Sequence, residues 1–223
     1  MGPRLRQRVT QIVNPKLKLY IPWTLGIEGF FASLQTSGAR HAVLRWFEDL
    51  PHVEPGHDLD ILVADESIGQ VRHLLSAWPL GQKIDIYSES GFEGTGYQPE
   101  LLGDVPAFPP EVAAAFLGSA TERPGGWSVP APREHFLGLA YHAVYLKGYD
   151  SGLPSDEGTP PRKTGSRDYA AVLTQLAGQS GWELEQPVTM KSLDRMLEEN
   201  GWKPDRNHLT ALAKANAWIT EAC

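Results

Sequence analysis

Two short segments in which aspartates alternate with apolar residues place the strongest constraint on the fold. Gly56–Val63 reads GHDLDILV, and Lys83–Ser88 reads KIDIYS. Their composition and two-residue alternation are typical of β-strands. The sequence between them, ESIGQVRHLLSAW, has the spacing of an amphipathic helix. A strand, a helix and a second strand in this order predict an α/β layer structure.

The aspartates of these segments indicate a metal site. Asp58 and Asp60 are two positions apart in one strand, so their side chains share a face about 6.5 Å apart along the chain and repel each other. Asp85 lies between Ile84 and Ile86 and points away from them. If the two strands are adjacent, the three carboxylates converge. Such oxygen ligands suit Mg²⁺ or Mn²⁺, and a cluster of this kind can hold two ions about 3.5 to 4 Å apart.

A structural interpretation of the same residues stands beside this one, because an Asp-x-Asp at a strand edge also occurs as a turn or cap feature. The functional interpretation is favoured by the combination of the pair, the apolar strand around it, the intervening helix and the central Asp85 of the second strand. We therefore treat Asp58, Asp60 and Asp85 as candidate catalytic and metal-binding residues.

The pattern divides the chain into a basic segment over residues 1–20, an α/β domain over residues 21–125 and a helical domain over residues 126–223. GIEGFFASLQTSG predicts a helix closed by Gly38, and HAVLRWF predicts a strand. The Gly- and Pro-rich stretch from Gly91 to Glu111 predicts loops or a short hairpin. A second break, TERPGGWSVPAP, marks the predicted domain boundary.

Helix start and stop signals organise the C-terminal part. PREHFLGLAYHAVYLKG has Pro132 near its start and Gly148 at its end, which is the expected asymmetry for a helix. Ser166 is the predicted cap of RDYAAVLTQLAGQ, Thr189 that of MKSLDRMLEEN, and Asp205 begins RNHLTALAKANAWITEA.

Composition and charge restrict the class of protein. With 223 residues, of which 41% are hydrophobic, the chain can bury a substantial core. Residues 51–122 carry twelve Asp or Glu but only Arg72 and Lys83 as opposing charges. This argues against a broad nucleic-acid surface there, because phosphate binding requires clustered Lys and Arg.

Redox and targeting signals favour a cytoplasmic protein. The single cysteine, Cys223, excludes an internal disulfide and a cysteine-based zinc site. The basic N-terminus lacks an apolar core of signal-peptide length, and nowhere do 18 apolar residues run together, so no membrane span is expected. The oligomeric state is left open.

The order of helix, strand, HDLDILV, helix and KIDIY resembles the nucleotidyltransferase superfamily with the polymerase β-type fold. Within it, the chain looks most like small bacterial enzymes related to aminoglycoside nucleotidyltransferases, in which an α/β domain with a small mixed sheet is followed by a helical domain. The resemblance covers about residues 26–88. It implies that Asp58 and Asp60 hold two Mg²⁺ or Mn²⁺ ions that bind a nucleoside triphosphate such as ATP. It also implies that Asp85 holds one ion and helps to deprotonate an acceptor hydroxyl.

The sequence departs from this family where a Gly-Ser motif should follow the first strand, since LRWFEDLP stands there instead. Backbone N–H groups of such a turn hold phosphates. Arg45, His57 and Lys147 are the candidate nucleotide-binding replacements. Each has a structural alternative: an ion pair at a strand end for Arg45, a loop position for His57 and a favourable charge at a helix C-terminus for Lys147.

Three functions follow as hypotheses. The first is a metal-dependent transferase that moves a nucleoside monophosphate from a triphosphate to a small-molecule acceptor, with a sugar or polysaccharide precursor suggested by family analogy. The second, prompted by the missing Gly-Ser, is a catalytically inactive binding or regulatory protein of the same fold. The third is a DNA-binding helix-turn-helix formed by the last helices, which their few positive charges disfavour.

Overall fold

The computed structural model describes residues 18–165 and 167–222. Most of the basic segment predicted over residues 1–20 lies outside the described residues, and so does the predicted cap Ser166. The described chain is a mixed α+β structure with a small mixed four-stranded sheet and a helical C-terminal part. The predicted combination of a mixed sheet and later helices is confirmed at this level.

The strands and helices are numbered here in chain order. The strands are β1 Leu19–Pro22, β2 His41–Val43, β3 Leu59–Val63, β4 Gly81–Ser88, β5 Thr121–Glu122 and β6 Ser128–Val129. The α-helices are α1 Gly26–Ser37, α2 Ile68–His73, α3 Pro99–Leu102, α4 Pro110–Ser119, α5 Pro132–Tyr141, α6 Tyr169–Gln179, α7 Met190–Glu199, α8 Arg206–Leu212 and α9 Ala217–Ala222. Shorter 3-10 segments at Asp65–Ser67 and Gly148–Ser151 and a π-helical segment at His142–Lys147 complete the regular structure.

The main sheet has the strand order β1-β4-β3-β2. β3 and β4 are parallel and joined through α2, whereas β1 and β2 are antiparallel to their neighbours. The predicted adjacency of the two aspartate-bearing strands is confirmed. In their register, Asp60 is the partner of Asp85.

One face of the sheet packs against α1. The helix buries Phe30, Phe31 and Leu34, and Phe31 stacks on His41 of β2 with ring centroids 5.6 Å apart. Gly38 ends the helix in the left-handed conformation, as predicted, and its N–H donates to the carbonyls of the last turn. The aspartates therefore belong to the other face, because side chains alternate along a strand.

The chain forms two compact units. The first comprises, of the described residues, 18–110 together with Glu122–Ser128, and the second comprises Glu111–Thr121 and 129–222. The domain boundary predicted at residue 125 lies in the segment Glu122–Ser128, which returns to the first unit. In that unit, Ser128 N–H donates to His41 Nε2 at 3.4 Å, and the Trp127 ring lies 5.9 Å from that of Phe31.

Capping side chains begin three helices of the second unit, α6, α7 and α8. Thr189 and Ser192 form a reciprocal capping box at α7, and Asp205 accepts from His208 N–H at 2.7 Å at α8, so both predicted starts are confirmed. At α6 the described cap is Asp168, whose carboxylate accepts from Ala171 N–H at 3.0 Å.

Several predicted elements end earlier than expected. Of the strand predicted for HAVLRWF, only the first three residues form a strand, β2. The chain then leaves the sheet and turns at Trp46, whose φ of 57° is incompatible with a β-strand. The helix predicted from Glu66 to Trp78 ends at His73, since Ser76 exchanges backbone hydrogen bonds of 2.9 Å with Tyr20 of β1. The last predicted helix is divided into α8 and α9.

Other predictions missed regular structure. β1 was not expected, and the predicted loop from Gly91 to Glu111 contains α3 and the start of α4. The helix predicted up to Gly148 is α-helical only to Tyr141 and then continues as π-helix. No described helix has the length and apolarity to cross a membrane.

Candidate functional site at the carboxylate face

The carboxylate face is the side of the main sheet that carries Asp58, Asp60 and Asp85. Asp60 and Asp85 are partners on neighbouring parallel strands, which lie about 4.8 Å apart. Asp58 precedes β3 and contacts Lys83 of β4, two residues before Asp85 and therefore on the same face. The fold thus brings the three predicted carboxylates to one face of two adjacent strands.

Asp60 lies deepest of the three. Arg45 Nη2 lies 2.9 Å from Asp60 Oδ1, and the two side chains are 8% and 11% exposed. Tyr87 OH approaches the same oxygen at 3.5 Å. Burial, followed by the charge of Asp60, raises the pKa of Tyr87 well above its ordinary value, so this phenol keeps its proton. The ion pair therefore neutralises a buried charge.

Asp58 is closer to solvent and pairs with Lys83. Lys83 Nζ donates to Asp58 Oδ2, and the two side chains are 32% and 31% exposed. Burial lowers the pKa of Lys83, but the hydrogen bond that Lys83 donates to Asp58 and the charges of Asp85, Asp58 and Asp60 outweigh this effect, so the pKa is raised. A single ammonium therefore lies in the field of all three carboxylates.

The turn after β2 stands where the resemblance requires Gly-Ser. Trp46 adopts φ 57°, a left-handed conformation that is typical of glycine and a rare outlier for a bulky side chain. Arg45, the residue before it, reaches back to Asp60. The backbone here makes a glycine-type turn without a glycine.

The other two predicted nucleotide-binding residues are both exposed. His57 is in an exposed loop, with its Nδ1 2.8 Å from Glu54 Oε2 and its carbonyl accepting from Gln82 Nε2 at 2.8 Å. Lys147 is exposed at the end of the π-helical segment of the second unit. Of the predicted phosphate partners, Arg45 contacts the aspartates through its ion pair with Asp60.

Sequence reasoning missed two members of the site. Lys83 and Tyr87 share their face with Asp85 because they are two residues before and after it in β4. The alternation that identified Asp85 in KIDIY therefore also pointed to both. The contact between Arg45 and Asp60 had no comparable signal, since it depends on the turn at Trp46.

As the side chains stand, no three His, Cys, Asp or Glu within residues 18–165 and 167–222 form a ready-made group for a metal ion. Asp58 and Asp60 are instead each neutralised by a cation of the chain. Their donor atoms remain hard carboxylate oxygens, which fit Mg²⁺ or Mn²⁺ and are poor ligands for softer metals.

Comparisons with protein-family models, curated proteins and solved structures return no match for this chain. Its function therefore has to be inferred from the carboxylate face itself.

Proposed function

We propose that this protein is a metal-dependent nucleotidyltransferase that transfers a nucleoside monophosphate from a nucleoside triphosphate to a hydroxyl of a small-molecule acceptor. One observation carries the proposal: Asp60 and Asp85 are register partners on adjacent parallel strands, and Asp58 reaches the same face two residues earlier. This arrangement agrees with the sequence resemblance to nucleotidyltransferases of the polymerase β-type fold.

The donor set fits the implied ions. Three carboxylates that share one face are the hard ligands that Mg²⁺ and Mn²⁺ prefer. Bound there, the ions would neutralise the triphosphate and stabilise the charge that develops during an in-line displacement. The attraction of Lys83 to all three carboxylates supports the fit, because the same field acts on any cation at this position.

The three aspartates then have separate roles. Asp58 and Asp60 would hold the ions that bind the triphosphate, and Asp85 would hold one ion and help to take the proton of the acceptor hydroxyl. The acceptor oxygen forms a bond to the α-phosphorus, while the bond from that phosphorus to the bridging oxygen breaks and pyrophosphate leaves. Arg45 holds the Asp60 carboxylate in place through their ion pair.

The nucleotide and the acceptor are proposed by class alone. A nucleoside triphosphate such as ATP is the donor, and a sugar or polysaccharide precursor is the acceptor class that the resemblance suggests. We place the reaction in the cytoplasm, where nucleoside triphosphates are available and where a chain with one cysteine is expected.

The test combines binding and turnover. Wild-type protein and Asp60→Asn are assayed for Mn²⁺ binding by electron paramagnetic resonance, and for Mg²⁺-dependent pyrophosphate release with the common nucleoside triphosphates and a panel of sugars and sugar phosphates. Asp49→Asn, an exposed change in the loop after β2, is the control. We expect Asp60→Asn to lose both signals and Asp49→Asn to keep them. Wild-type protein that binds no metal would refute the proposal.

A second candidate is a binding or regulatory protein of the same fold that lacks catalysis. The ion pairs of Arg45 with Asp60 and of Lys83 with Asp58 favour it, because they neutralise the carboxylates without a metal. Metal and nucleotide binding without pyrophosphate release would support this alternative, and turnover on any acceptor would exclude it.

A further inference from the structure

We propose that Lys83 is the exchangeable cation of the carboxylate face: it neutralises the aspartates when no metal is bound and moves to the phosphates of the ligand when metal and triphosphate bind. This inference rests on the proposed function and adds a residue that the resemblance does not supply. Lys83 would then be a nucleotide-binding residue, in contact with the phosphates of the bound triphosphate and not only with Asp58.

The position of Lys83 in the sheet carries the inference. β4 alternates Lys83, Asp85 and Tyr87 on the carboxylate face, and the side chain of Lys83 contacts Asp58, which enters from the start of β3. One cation therefore spans both aspartate-bearing strands. Because Asp60 is the partner of Asp85, the ammonium lies among the atoms that would have to bind a metal.

The two cations of the site differ in their freedom to move. Arg45 is 8% exposed and is held on buried Asp60, so losing that contact leaves two charges stranded in the interior. Lys83 and Asp58 are each about one-third exposed, and solvent can replace either partner at little cost. Lys83 also has a flexible stem that carries a compact charge. It is the side chain suited to exchange partners.

Charge balance gives the exchange a direction. Without metal, the ammonium reduces the repulsion among Asp58, Asp60 and Asp85. A divalent ion that binds the same carboxylates repels the ammonium and replaces it on Asp58. A bound triphosphate brings several new negative charges to the site, and the displaced ammonium can then pair with them.

The experiment measures metal and phosphate separately, with no catalytic readout. Binding of Mn²⁺ alone is followed by electron paramagnetic resonance, and binding of inorganic tripolyphosphate in saturating Mg²⁺ is followed by calorimetry. Lys83→Gln removes the charge and Lys83→Arg retains it. Arg40→Gln is the matched control, since it also removes one positive charge from the first unit. Arg40 precedes β2 beside the far end of β3, where it pairs with Glu66.

If Lys83 exchanges partners in this way, Lys83→Gln should change the affinities for Mn²⁺ and for tripolyphosphate in opposite directions. Mn²⁺ alone should bind about fivefold more tightly, because a competing cation is gone. Tripolyphosphate with Mg²⁺ should bind about tenfold more weakly, because a charge-assisted hydrogen bond is lost. We expect Lys83→Arg to preserve most of both affinities and Arg40→Gln to change neither by more than about twofold.

Two failures are distinguishable. If wild-type protein binds Mn²⁺ and Asp60→Asn abolishes that binding, but Lys83→Gln leaves both affinities unchanged or shifts them in the same direction, the role of Lys83 is wrong and the proposed function stands. If neither wild-type protein nor Lys83→Gln binds Mn²⁺, the proposed function is refuted and this inference falls with it. Far-UV circular dichroism of each variant confirms that the fold is intact.

Discussion

Replacing Arg45 with methionine should destabilise the protein far more than an ordinary ion-pair deletion, because it leaves the carboxylate of Asp60 buried. The charged atoms are 2.9 Å apart. At an effective dielectric constant of about 20, their attraction is about 6 kcal/mol, most of which offsets the cost of removing both groups from water. Tyr87 OH, at 3.5 Å, is too distant to replace the guanidinium. We expect Arg45→Met to lower the free energy of unfolding by about 3 to 5 kcal/mol.

The assay is a double-mutant cycle in urea, followed by circular dichroism at neutral pH without divalent metal. Asp60→Asn removes the other charge, and the double variant Arg45→Met with Asp60→Asn removes both. The double variant should be more stable than the Arg45→Met protein, with a coupling energy of about 2 to 3 kcal/mol. The control cycle uses Arg40 and Glu66, whose charged atoms are 3.0 Å apart but whose side chains are 56% and 61% exposed. Its coupling should stay below about 1 kcal/mol.

Equal coupling energies in the two cycles would refute the reasoning, because burial is the difference between the pairs. An additive effect of the two buried substitutions would refute it as well. A second measurement links the ion pair to the proposed metal site. Mn²⁺ at about 1 mM, on the order of the Kd of a weak protein site, should restore part of the stability that Arg45→Met loses, because a metal ion on Asp60 supplies the missing positive charge. Asp60→Asn should gain nothing.

Three further predictions concern other positions. Burial lowers the pKa of His135 from 6.5 to about 4, so the folded state resists protonation of this side chain. The free energy of unfolding should therefore be at its full value above pH 6.5 and should fall by about 2 kcal/mol at pH 5. His135→Gln should remove this loss, whereas the same substitution at the exposed His52 should not. A histidine NMR titration with a His135 midpoint above 6 would contradict this. Trp46→Gly should be more stable than Trp46→Ala by about 1 kcal/mol in urea, because both lack the indole and only glycine tolerates φ 57°. Gly138→Ala should cost about 1 to 3 kcal/mol, since its Cβ would lie 2.1 Å from Cζ of Phe116, and Phe116→Leu in the same chain should recover part of that loss in thermal melts.

The aspartate strands were predictable because two-residue alternation is a local property. The alternation in DLDILV and KIDIYS predicts which side chains share a face of each strand. The helix between them allows the two strands to pair in parallel in one sheet. The same alternation also places Lys83 and Tyr87 on the face of Asp85, although neither was predicted as a site residue. What alternation could not supply was the register that makes Asp60 the partner of Asp85.

Other elements depend on tertiary contacts that local patterns do not contain. β1 has only four residues, and it forms a strand because its backbone pairs with β4. The sequence predicts a loop at the start of α4 because Pro109 and Pro110 disfavour helix in most positions, although proline is favourable in the first turn of a helix. The turn at Trp46 contradicts the preference of its own residue, so the surrounding fold imposes it.

The division of the chain between the two units has a consequence for synthesis. The polypeptide leaves the first unit at Pro110, contributes Glu111–Thr121 to the second, returns for Glu122–Ser128 and then leaves again. During translation, the first unit lacks its last segment until residue 128 has emerged. By then α4 is already outside the ribosome, while the other helices that share its unit have not yet emerged. For a time the apolar side of α4, which includes Phe116, is therefore exposed on the nascent chain and open to premature association. It also follows that no single cleavage point divides this protein into two complete units.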